Sequence, residues 1–275
     1  MKILILGDLH GAIPVIHYKD FDAVISPGDF CSSDAIRELV FEQIRTGKSW
    51  IELAGGKNKA KKLARQSIAS GRKVLEFLNS LGKPVYVVPG NTDWYGSPTL
   101  EWSFLRINHY RKMISGLKNV IDVHLKRVQL GDYDIIGYGL SSGPELPDEI
   151  PPDELREKQK KYLETVTKLN KLFDTTRQVI FLSHNVPFNT SLDRITNRNS
   201  PAFGKHYGSM IAREMVIEHQ PVLAIGGHIH EHFGKCRLGR TVCVNAGYGP
   251  GVNILADFGE KLRLRFWRRR NDSKL

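Results

Sequence analysis

Five short apolar runs, each ending abruptly at glycine or polar residues, most constrain what this chain can fold into. The runs are KILIL, AVIS, PVYVV, QVIFL and PVLAI. Short continuous apolar runs that alternate with helical patterns are typical of parallel strands buried on both faces. In open α/β sheets, the side chains that follow the carboxyl ends of such strands form the functional site. The sequence therefore predicts an α/β chain whose functional residues come directly after its strands.

Helical patterns fill much of the sequence between these runs. The segment from about Asp34 to Leu81 predicts helices, broken near Gly55-Gly56. An apolar stripe for this segment is formed by Leu63, Ile68, Val74, Leu75 and Leu78. Further helices are predicted from about Thr99 to Ser115, from about Glu154 to Phe173 and near Tyr207 to His219.

The remaining β elements lie in the second half of the chain. VIDVHLKRVQLGDYDIIGYGL alternates and turns at Gly131-Asp132 in the manner of a hairpin, and residues 143–153 predict a loop. TVCVNAG, GVNILADF and KLRLRFW predict strands near the C-terminus. No repeat or low-complexity linker divides the sequence, so residues 1–275 are expected to form a single domain.

The composition is that of a globular protein, with 41% hydrophobic and 25% charged residues among 275. No run of eighteen or more apolar residues occurs, and Asp8 and His10 interrupt the first apolar run before a signal peptide could form. The three cysteines are odd in number and lack CxxC spacing, which predicts neither a disulfide framework nor a zinc ribbon. A cytoplasmic protein without a membrane span is expected.

The formal charge of +11 favours an anionic partner, because a positive field attracts phosphates, nucleic acid and acidic lipid. The excess lies partly in residues 57–62 and partly in a basic C-terminal tail, residues 263–275, which begins RLRFWRRR. Interleaved arginines and aromatics in this tail make nucleic acid a possible partner. A solvated face and a plain basic terminus are the alternative interpretations of the two runs.

Metal-ligand side chains follow all five apolar runs. The motifs are Asp8-Leu9-His10, Gly28-Asp29, Gly90-Asn91-Thr92-Asp93, Ser183-His184-Asn185 and Gly226-Gly227-His228-Ile229-His230. Each motif alone is a weak signal, since a turn or a hydrogen-bonded histidine explains it equally well. Five strand ends that all offer Asp, Asn or His are hard to explain by turn chemistry. Mixed carboxylate, amide and imidazole ligands suit manganese, iron or zinc better than magnesium or calcium.

In their order along the chain, these motifs resemble the calcineurin-like metallophosphoesterase family, whose pattern is D-x-H, G-D, G-N-H-[DE], H and G-H-x-H. The resemblance extends from Asp8 to His230. It implies a four-layer αββα sandwich, with two mixed β-sheets flanked by helices, and a phosphate ester as substrate. Ser183-His184-Asn185-Val186-Pro187, Leu192-Asp193 and residues 204–209 are more loosely similar to a branch of small bacterial and archaeal members.

The same resemblance implies two divalent metal ions, with manganese favoured and iron, zinc, nickel or cobalt as alternatives. Carried over by motif, Asp8, His10 and His230 would bind the first ion, Asn91, His184 and His228 the second, and Asp29 would bridge the two. A hydroxide is the other expected bridge, and its attack would cleave the ester. The helical segment 34–81 is expected to act as a cap over the site.

The sequence departs from the family pattern at Thr92, where the family carries a histidine near the leaving-group oxygen. This replacement should slow cleavage most for substrates with poor leaving groups. It therefore favours a phosphodiester as substrate. His206 is the proposed substitute for the histidine, and Asp93 is proposed either to assist catalysis or to be structural. Substrate contacts are proposed for Asn91, Thr92 and Arg194.

Three other functions stay open at this point. A phosphomonoesterase is the nearest alternative, and a nuclease is the second, since the family contains one and the tail is basic. The third is a non-catalytic scaffold, which the presence of all seven expected ligands argues against. The oligomeric state is unknown.

Overall fold

Two six-stranded sheets form the centre of the computed structural model, which describes residues 1–148, 150–198, 200 and 202–269. The first half of the chain supplies β1 (Lys2–Ile5), β2 (Ala23–Ser26), β3 (Val85–Val87), β4 (Val120–Asp122), β5 (Arg127–Leu130) and β6 (Tyr133–Tyr138). The second half supplies β7 (Gln178–Asn185), β8 (Leu223–Gly227), β9 (Gly234–Leu238), β10 (Thr241–Asn245), β11 (Val252–Phe258) and β12 (Leu262–Arg268).

Both sheets are mixed. The first has the order β12-β11-β1-β2-β3-β4, in which β1 to β4 run parallel and β11 is antiparallel to both of its neighbours. The second has the order β5-β6-β7-β8-β10-β9, in which only the edge strands β5 and β9 are antiparallel to the rest. As a result, the strands that precede the five motifs all point toward one edge of the sandwich.

Helices cover the outer faces of the sheets, and the main core lies between the sheets. Ile5 and Ile25 from the first sheet meet Ile180 and Ile225 from the second in this inner core. Seven helices lie in the described ranges, and they are α1 (Asp34–Thr46), α2 (Trp50–Leu53), α3 (Lys57–Ser80), α4 (Ser103–Arg106), α5 (His109–Ile114), α6 (Pro152–Phe173) and α7 (Met210–His219). Helix α3 packs on the first sheet, and α6 and α7 pack on the second. The predicted four-layer αββα sandwich is confirmed.

Helix boundaries depart from the sequence prediction at glycines and caps. The segment from Asp34 to Leu81 breaks at Gly55-Gly56 as predicted and also at Gly47, which ends α1 in the left-handed conformation with φ of 72°. The predicted helix from Thr99 to Ser115 is instead two short helices, α4 and α5. Helix α7 begins at Met210, three residues later than predicted, because the Ser209 hydroxyl caps it by accepting the Ala212 N–H.

The predicted hairpin is present, and its turn at Gly131-Asp132 joins β5 to β6 in antiparallel register. The residues just before it, however, form β4 and belong to the other sheet. No helix among the described residues has both the length and the apolar character that a membrane span requires. Residues 270–275 of the basic tail lie outside the described residues.

Candidate metal centre

All seven side chains predicted as metal ligands converge at the carboxyl edge of the two sheets. Asp8, His10, Asp29 and Asn91 come from the first sheet, and His184, His228 and His230 come from the second. The ligand atoms of Asp8, His10 and His230 lie within 4.8 Å of one another, and so do those of Asp29, His184 and His228. The two groups of three therefore each draw on both sheets.

Asp29 lies between the two groups and is almost fully buried. Its Oδ2 atom lies 3.4 Å from His10 Nε2 in the first group, and its Oδ1 atom lies 3.7 Å from His184 Nε2 in the second. Asn91 joins the second group, since its Oδ1 atom lies 2.9 Å from His184 Nε2. One carboxylate thus presents one oxygen to each group.

Hydrogen bonds from outside the groups orient three of the four histidines. His184 Nδ1–H donates to the Pro27 carbonyl at 2.8 Å, and His228 Nε2–H donates to the Ser142 carbonyl at 3.1 Å. His10 Nδ1 lies 2.9 Å from the Ser33 hydroxyl. In each ring the other nitrogen is left facing the centre, which is how metal-binding histidines are normally held.

Two buried polar atoms of the centre have no partner among the described residues. They are Asp8 Oδ1 and His228 Nδ1. Such atoms are rare in folded proteins because an unpaired buried acceptor costs free energy. In addition, His10 Nε2 and His230 Nε2 face each other at 3.3 Å. Unpaired acceptor atoms that point at a common space fit a divalent cation, so the residues present are suited to binding metal.

The backbone at three of these ligands is strained. His10, Asp29 and His228 adopt φ angles of 44°, 55° and 66°, in the left-handed region that residues with a side chain rarely occupy. Conformations of this kind cluster at functional sites, where the surrounding structure maintains them. The neighbouring loop also comes very close, since a Cβ atom at Gly90 would lie 2.1 Å from Asp29 Oδ1.

The electrostatics of the centre favour an ionised Asp29 carboxylate and keep the His10 and His228 rings neutral. Burial alone would raise the pKa of Asp29, but His184, His10 and the Thr92 N–H lower it to about 2. Burial lowers the pKa of His228 to about 4, and it also lowers the pKa of His10. Burial opposes protonation of His184 as well, but the nearby Asp29 and Asp8 carboxylates raise its pKa above the ordinary value.

Comparison with known proteins identifies the family. A profile described as calcineurin-like phosphoesterase matches residues 1–232 of this 275-residue chain. The chain belongs to the calcineurin-like phosphoesterase family. It is accordingly a metal-dependent hydrolase of phosphate esters, with two groups of side chains able to hold metal. No curated protein sequence matches the chain significantly.

Solved structures share the fold. One solved chain superposes with a TM-score of 0.65 at 17% identity, covering 97% of this chain and 98% of its own length. The protein TT1561 of Thermus thermophilus superposes with a TM-score of 0.52 at 16% identity, with the same coverage of 97% and 98%. Phosphopantetheinyl hydrolase of Mycobacterium tuberculosis superposes with a TM-score of 0.54 at 14% identity, covering 90% of each chain. At these identities the likeness concerns the fold of this calcineurin-like phosphoesterase and not its substrate.

Asp93 is fully buried beneath the centre and binds main chain. Its two carboxylate oxygens accept N–H groups at 2.8 to 3.1 Å from Asp29, Phe30, Cys31 and Gly90. Burial and the nearby Asp29 carboxylate raise its pKa to about 6. These contacts tie the loop after β2 to the loop after β3, so they support the structural role among those predicted for Asp93.

Thr92, which replaces the family histidine, faces Asp29. Its main-chain N–H and its hydroxyl both donate to Asp29 Oδ1, at 2.9 and 2.8 Å. The hydroxyl thereby fixes the carboxylate that lies between the two groups. This hydrogen bond occupies the Thr92 side chain, which was predicted as a substrate contact.

His206 and Arg194 lie in the loop between β7 and α7, which contacts His232, two residues beyond His230. His206 Nδ1 is 2.7 Å from Oδ1 of the fully buried Asp193, and its side chain is one-third exposed. Arg194 is exposed, pairs with His206 through an isolated β-bridge, and contacts the His232 ring through its carbonyl. Within the described ranges, no hydrogen bond joins His206 or Arg194 to the seven ligand side chains.

The sequence prediction missed Tyr248. Its ring stacks on that of His230, with centroids 4.2 Å apart and planes at 28°, and it lies 5.3 Å from the His10 ring. Tyr248 follows β10 in the segment Gly247-Tyr248-Gly249, which is a strand end of the same kind as the five motifs. Applying the same rule to the run TVCVN would have found it.

Proposed function

We propose that this calcineurin-like phosphoesterase is a phosphodiesterase with two metal ions at its centre. The supporting observation is the placement of Asp29, whose two oxygens face one ligand group each. Two cations close together repel strongly, and a shared anionic ligand offsets that repulsion. The first ion would be held by Asp8, His10 and His230, the second by Asn91, His184 and His228, and Asp29 would be shared.

Bound divalent ions at such a centre supply a nucleophile from water at neutral pH and offset charge on the phosphate oxygens. The chain contributes two carboxylates, one amide and four imidazoles, a mixture that favours manganese or a related transition metal. Only Asp8 and Asp29 carry negative charge among these ligands. Two divalent ions would therefore leave the centre with a net positive charge, which attracts an anionic phosphate.

The preference for diesters rests on Thr92. Because its hydroxyl donates to Asp29, it is not placed to protonate a leaving oxygen. We assign proton donation to His206, whose Nδ1 is held by Asp193 while its Nε2 stays available. Arg194, exposed on the same loop, is the proposed contact for a phosphate oxygen.

Turnover of an aryl phosphodiester and of the matching aryl phosphomonoester, measured with the same manganese-loaded protein, tests the proposal. We expect kcat/KM to be higher for the diester, and Asp29→Asn to abolish turnover of both. A monoester preference would overturn the diester assignment and make the protein a phosphatase. Full activity in Asp29→Asn would overturn the two-metal centre itself.

His206 is tested by leaving-group dependence. Loss of a proton donor slows the release of poor leaving groups more than good ones. We therefore expect His206→Gln to lower kcat for a dialkyl diester, which must expel an alkoxide, far more than for a diester that expels nitrophenolate. An equal loss of kcat for both substrates would show that His206 has a structural role and does not donate the proton.

A further inference from the structure

The basic C-terminal run lies at the same edge of the fold as the metal centre. Strand β11 is antiparallel to β1, and β12 is antiparallel to β11, so β12 runs parallel to β1. The end of β12 is therefore delivered to the edge where β1 delivers Asp8 and His10. The register confirms this, since Arg268 pairs with Val252 at the start of β11.

A short series of main-chain contacts joins this strand end to the centre. The Arg269 N–H donates to the Gly251 carbonyl at 2.9 Å, and the Gly249 N–H donates to the Asp8 carbonyl at 2.8 Å. Tyr248, which stacks on His230, directly precedes Gly249 in the chain. The Arg268 guanidinium lies 5.2 Å from the centre of the Phe233 ring, three residues beyond His230.

The two faces of β12 differ in chemistry. Leu262, Leu264 and Phe266 pack against the core between the sheets. The alternate residues Arg263 and Arg265 are exposed on the other face. We call Arg263, Arg265 and Trp267 on this face, together with Arg268 and Arg269 at the end of the strand, the basic strip. None of its four arginines has a carboxylate within ion-pair distance in the part of the chain that the structure describes.

Aromatic rings lie against the basic strip and form a platform with it. The Trp267 ring stacks on His17, with centroids 4.4 Å apart and planes at 4°. The Arg265 guanidinium lies 5.7 Å from the centre of the neighbouring Tyr18 ring. A positively charged surface with flat aromatic groups is the usual platform for single-stranded nucleic acid, since cations bind the backbone and rings stack on unpaired bases.

We propose that the basic strip binds a single-stranded nucleic acid and leads its backbone toward the metal centre. The inference rests on the proposed phosphodiesterase function, because the strand would supply the phosphodiester. Single strands fit better than an anionic membrane, because Leu262, Leu264 and Phe266 of β12 turn into the core and the Trp267 ring is held flat against His17. They also fit better than a duplex, whose bases are not free to stack.

The test is binding of a fluorescein-labelled thymidine strand of about 12 nucleotides with phosphorothioate linkages, measured by anisotropy on the full-length, manganese-loaded chain. We expect binding that weakens as salt rises. Replacing Arg263→Gln and Arg265→Gln together removes two phosphate contacts and should lower the slope of log affinity against log salt by about 1.4. Trp267→Ala should weaken binding between about fivefold and about a hundredfold, through lost stacking.

The matched control is Arg65→Gln with Arg156→Gln, which removes the same charge from exposed positions on α3 and α6. An equal loss of binding in this control would show a general charge effect and overturn the proposal. Absence of binding at low salt, duplex binding as tight as strand binding, or binding to phosphatidylserine vesicles alone would also overturn it. Circular dichroism of each variant excludes unfolding as the cause.

Aryl diester turnover by the same preparations separates the two proposals. Turnover of the diester without strand binding would overturn the proposal that the basic strip binds nucleic acid. It would leave the proposed phosphodiesterase function intact. The opposite result is strand binding that weakens in the variants as predicted, without turnover of any diester. It would support the basic strip as a binding surface and overturn the proposed phosphodiesterase function.

Discussion

His230 differs from the other three histidines of the two groups in what holds its ring. His10, His184 and His228 each have an orienting partner outside the centre. Among the described residues, the only polar contacts of His230 are to His10 and Asp8, inside the centre. Its ring stacks on Tyr248 instead. Stacking therefore takes the place of the missing outer hydrogen bond, and Tyr248 is a positioning residue.

We predict that Tyr248→Ala weakens metal binding at the first group by about 10-fold to 100-fold, the usual cost of losing a partner that orients a metal ligand. Tyr248→Phe should keep the affinity of the original protein, because the ring and not the hydroxyl makes the contact. Manganese content after gel filtration, together with isothermal titration calorimetry, measures both. Equal loss in the Phe variant would show that the hydroxyl is what matters.

The two groups should also respond differently to acid. A histidine must lose the proton on its binding nitrogen before it can hold a metal, so a raised pKa makes the proton a stronger competitor. Desolvation works against protonation of His184, but the Asp29 and Asp8 carboxylates raise its pKa above 6.5. Burial lowers the pKa of His10 in the first group. Acidification should therefore weaken the second group first.

The expected result is loss of one equivalent of manganese as pH falls through the raised pKa of His184, while the other persists to lower pH. Below the pKa of His184, the affinity of the second group should fall by about tenfold per pH unit. Metal content measured from pH 8 to pH 5 shows whether loss occurs in two steps. In His184→Asn the earlier step should be absent. Simultaneous loss of both equivalents in the original protein would contradict the prediction.

At the level of single residues, the sequence predicted which side chains meet at the candidate centre but not what supports them. Ligand types at strand ends are visible in a linear pattern, because the strand brings each of them to the same edge. Tyr248 follows a strand end too, but it is not an Asp, Asn or His, and Ser33 and Ser142 carry no such signal. Each acts through a contact between segments that follow different strands of one sheet, and such contacts exist only once those strands have paired.

Among the elements, the segment from Asp34 to Leu81 divides into two parts with different roles. Helix α3 buries Val74, Leu75 and Leu78 against the first sheet, as the apolar stripe predicted. Helices α1 and α2 bury no residue completely, and α1 exposes Phe41 at 53% and Ile44 at 69%. The spacing of apolar residues found the core helix. It did not distinguish this helix from an exposed neighbour with a similar pattern.

This division predicts opposite effects for two substitutions. Leu75→Ala should lower the free energy of unfolding by about 2–5 kcal/mol, because it leaves a cavity in a fully buried position. Phe41→Ala should change it by no more than about 0.5 kcal/mol, since the ring is exposed. Urea unfolding of both variants measures these effects. A large loss of stability in Phe41→Ala would place α1 in the core.

The predicted cap is tested with the same variant. If α1 covers a bound substrate, Phe41→Ala should raise KM for a bulky diester and leave KM for a small aryl diester unchanged. The helix begins next to Ser33, whose hydroxyl contacts His10, so its first turn lies at the centre. If KM for each substrate is the same in Phe41→Ala as in the original protein, α1 does not cover the bound substrate.

For the whole molecule, the candidate metal centre is the place where the two sheets are joined at one edge. Asp8 and His10 from the first sheet share a group with His230 from the second. Asp29 from the first sheet shares a group with His184 and His228 from the second. Without metal, this edge holds unpaired acceptors, strained backbone and a buried carboxylate. Bound cations would offset these costs and connect the sheets directly.

Metal removal should therefore lower the thermal stability of the entire fold. One ion present at about a thousand times its Kd stabilises the native state by about 4 kcal/mol. At about 2–4 °C per kcal/mol for a chain of this size, removal of one ion should lower Tm by roughly 8–16 °C. Differential scanning calorimetry with and without EDTA measures the change, and manganese should restore the original Tm. Because Asp29 contacts both groups, Asp29→Asn should show little response to either treatment. An original protein whose Tm ignores EDTA, with its manganese shown to be gone, would mean that the sheets are held together without the ions.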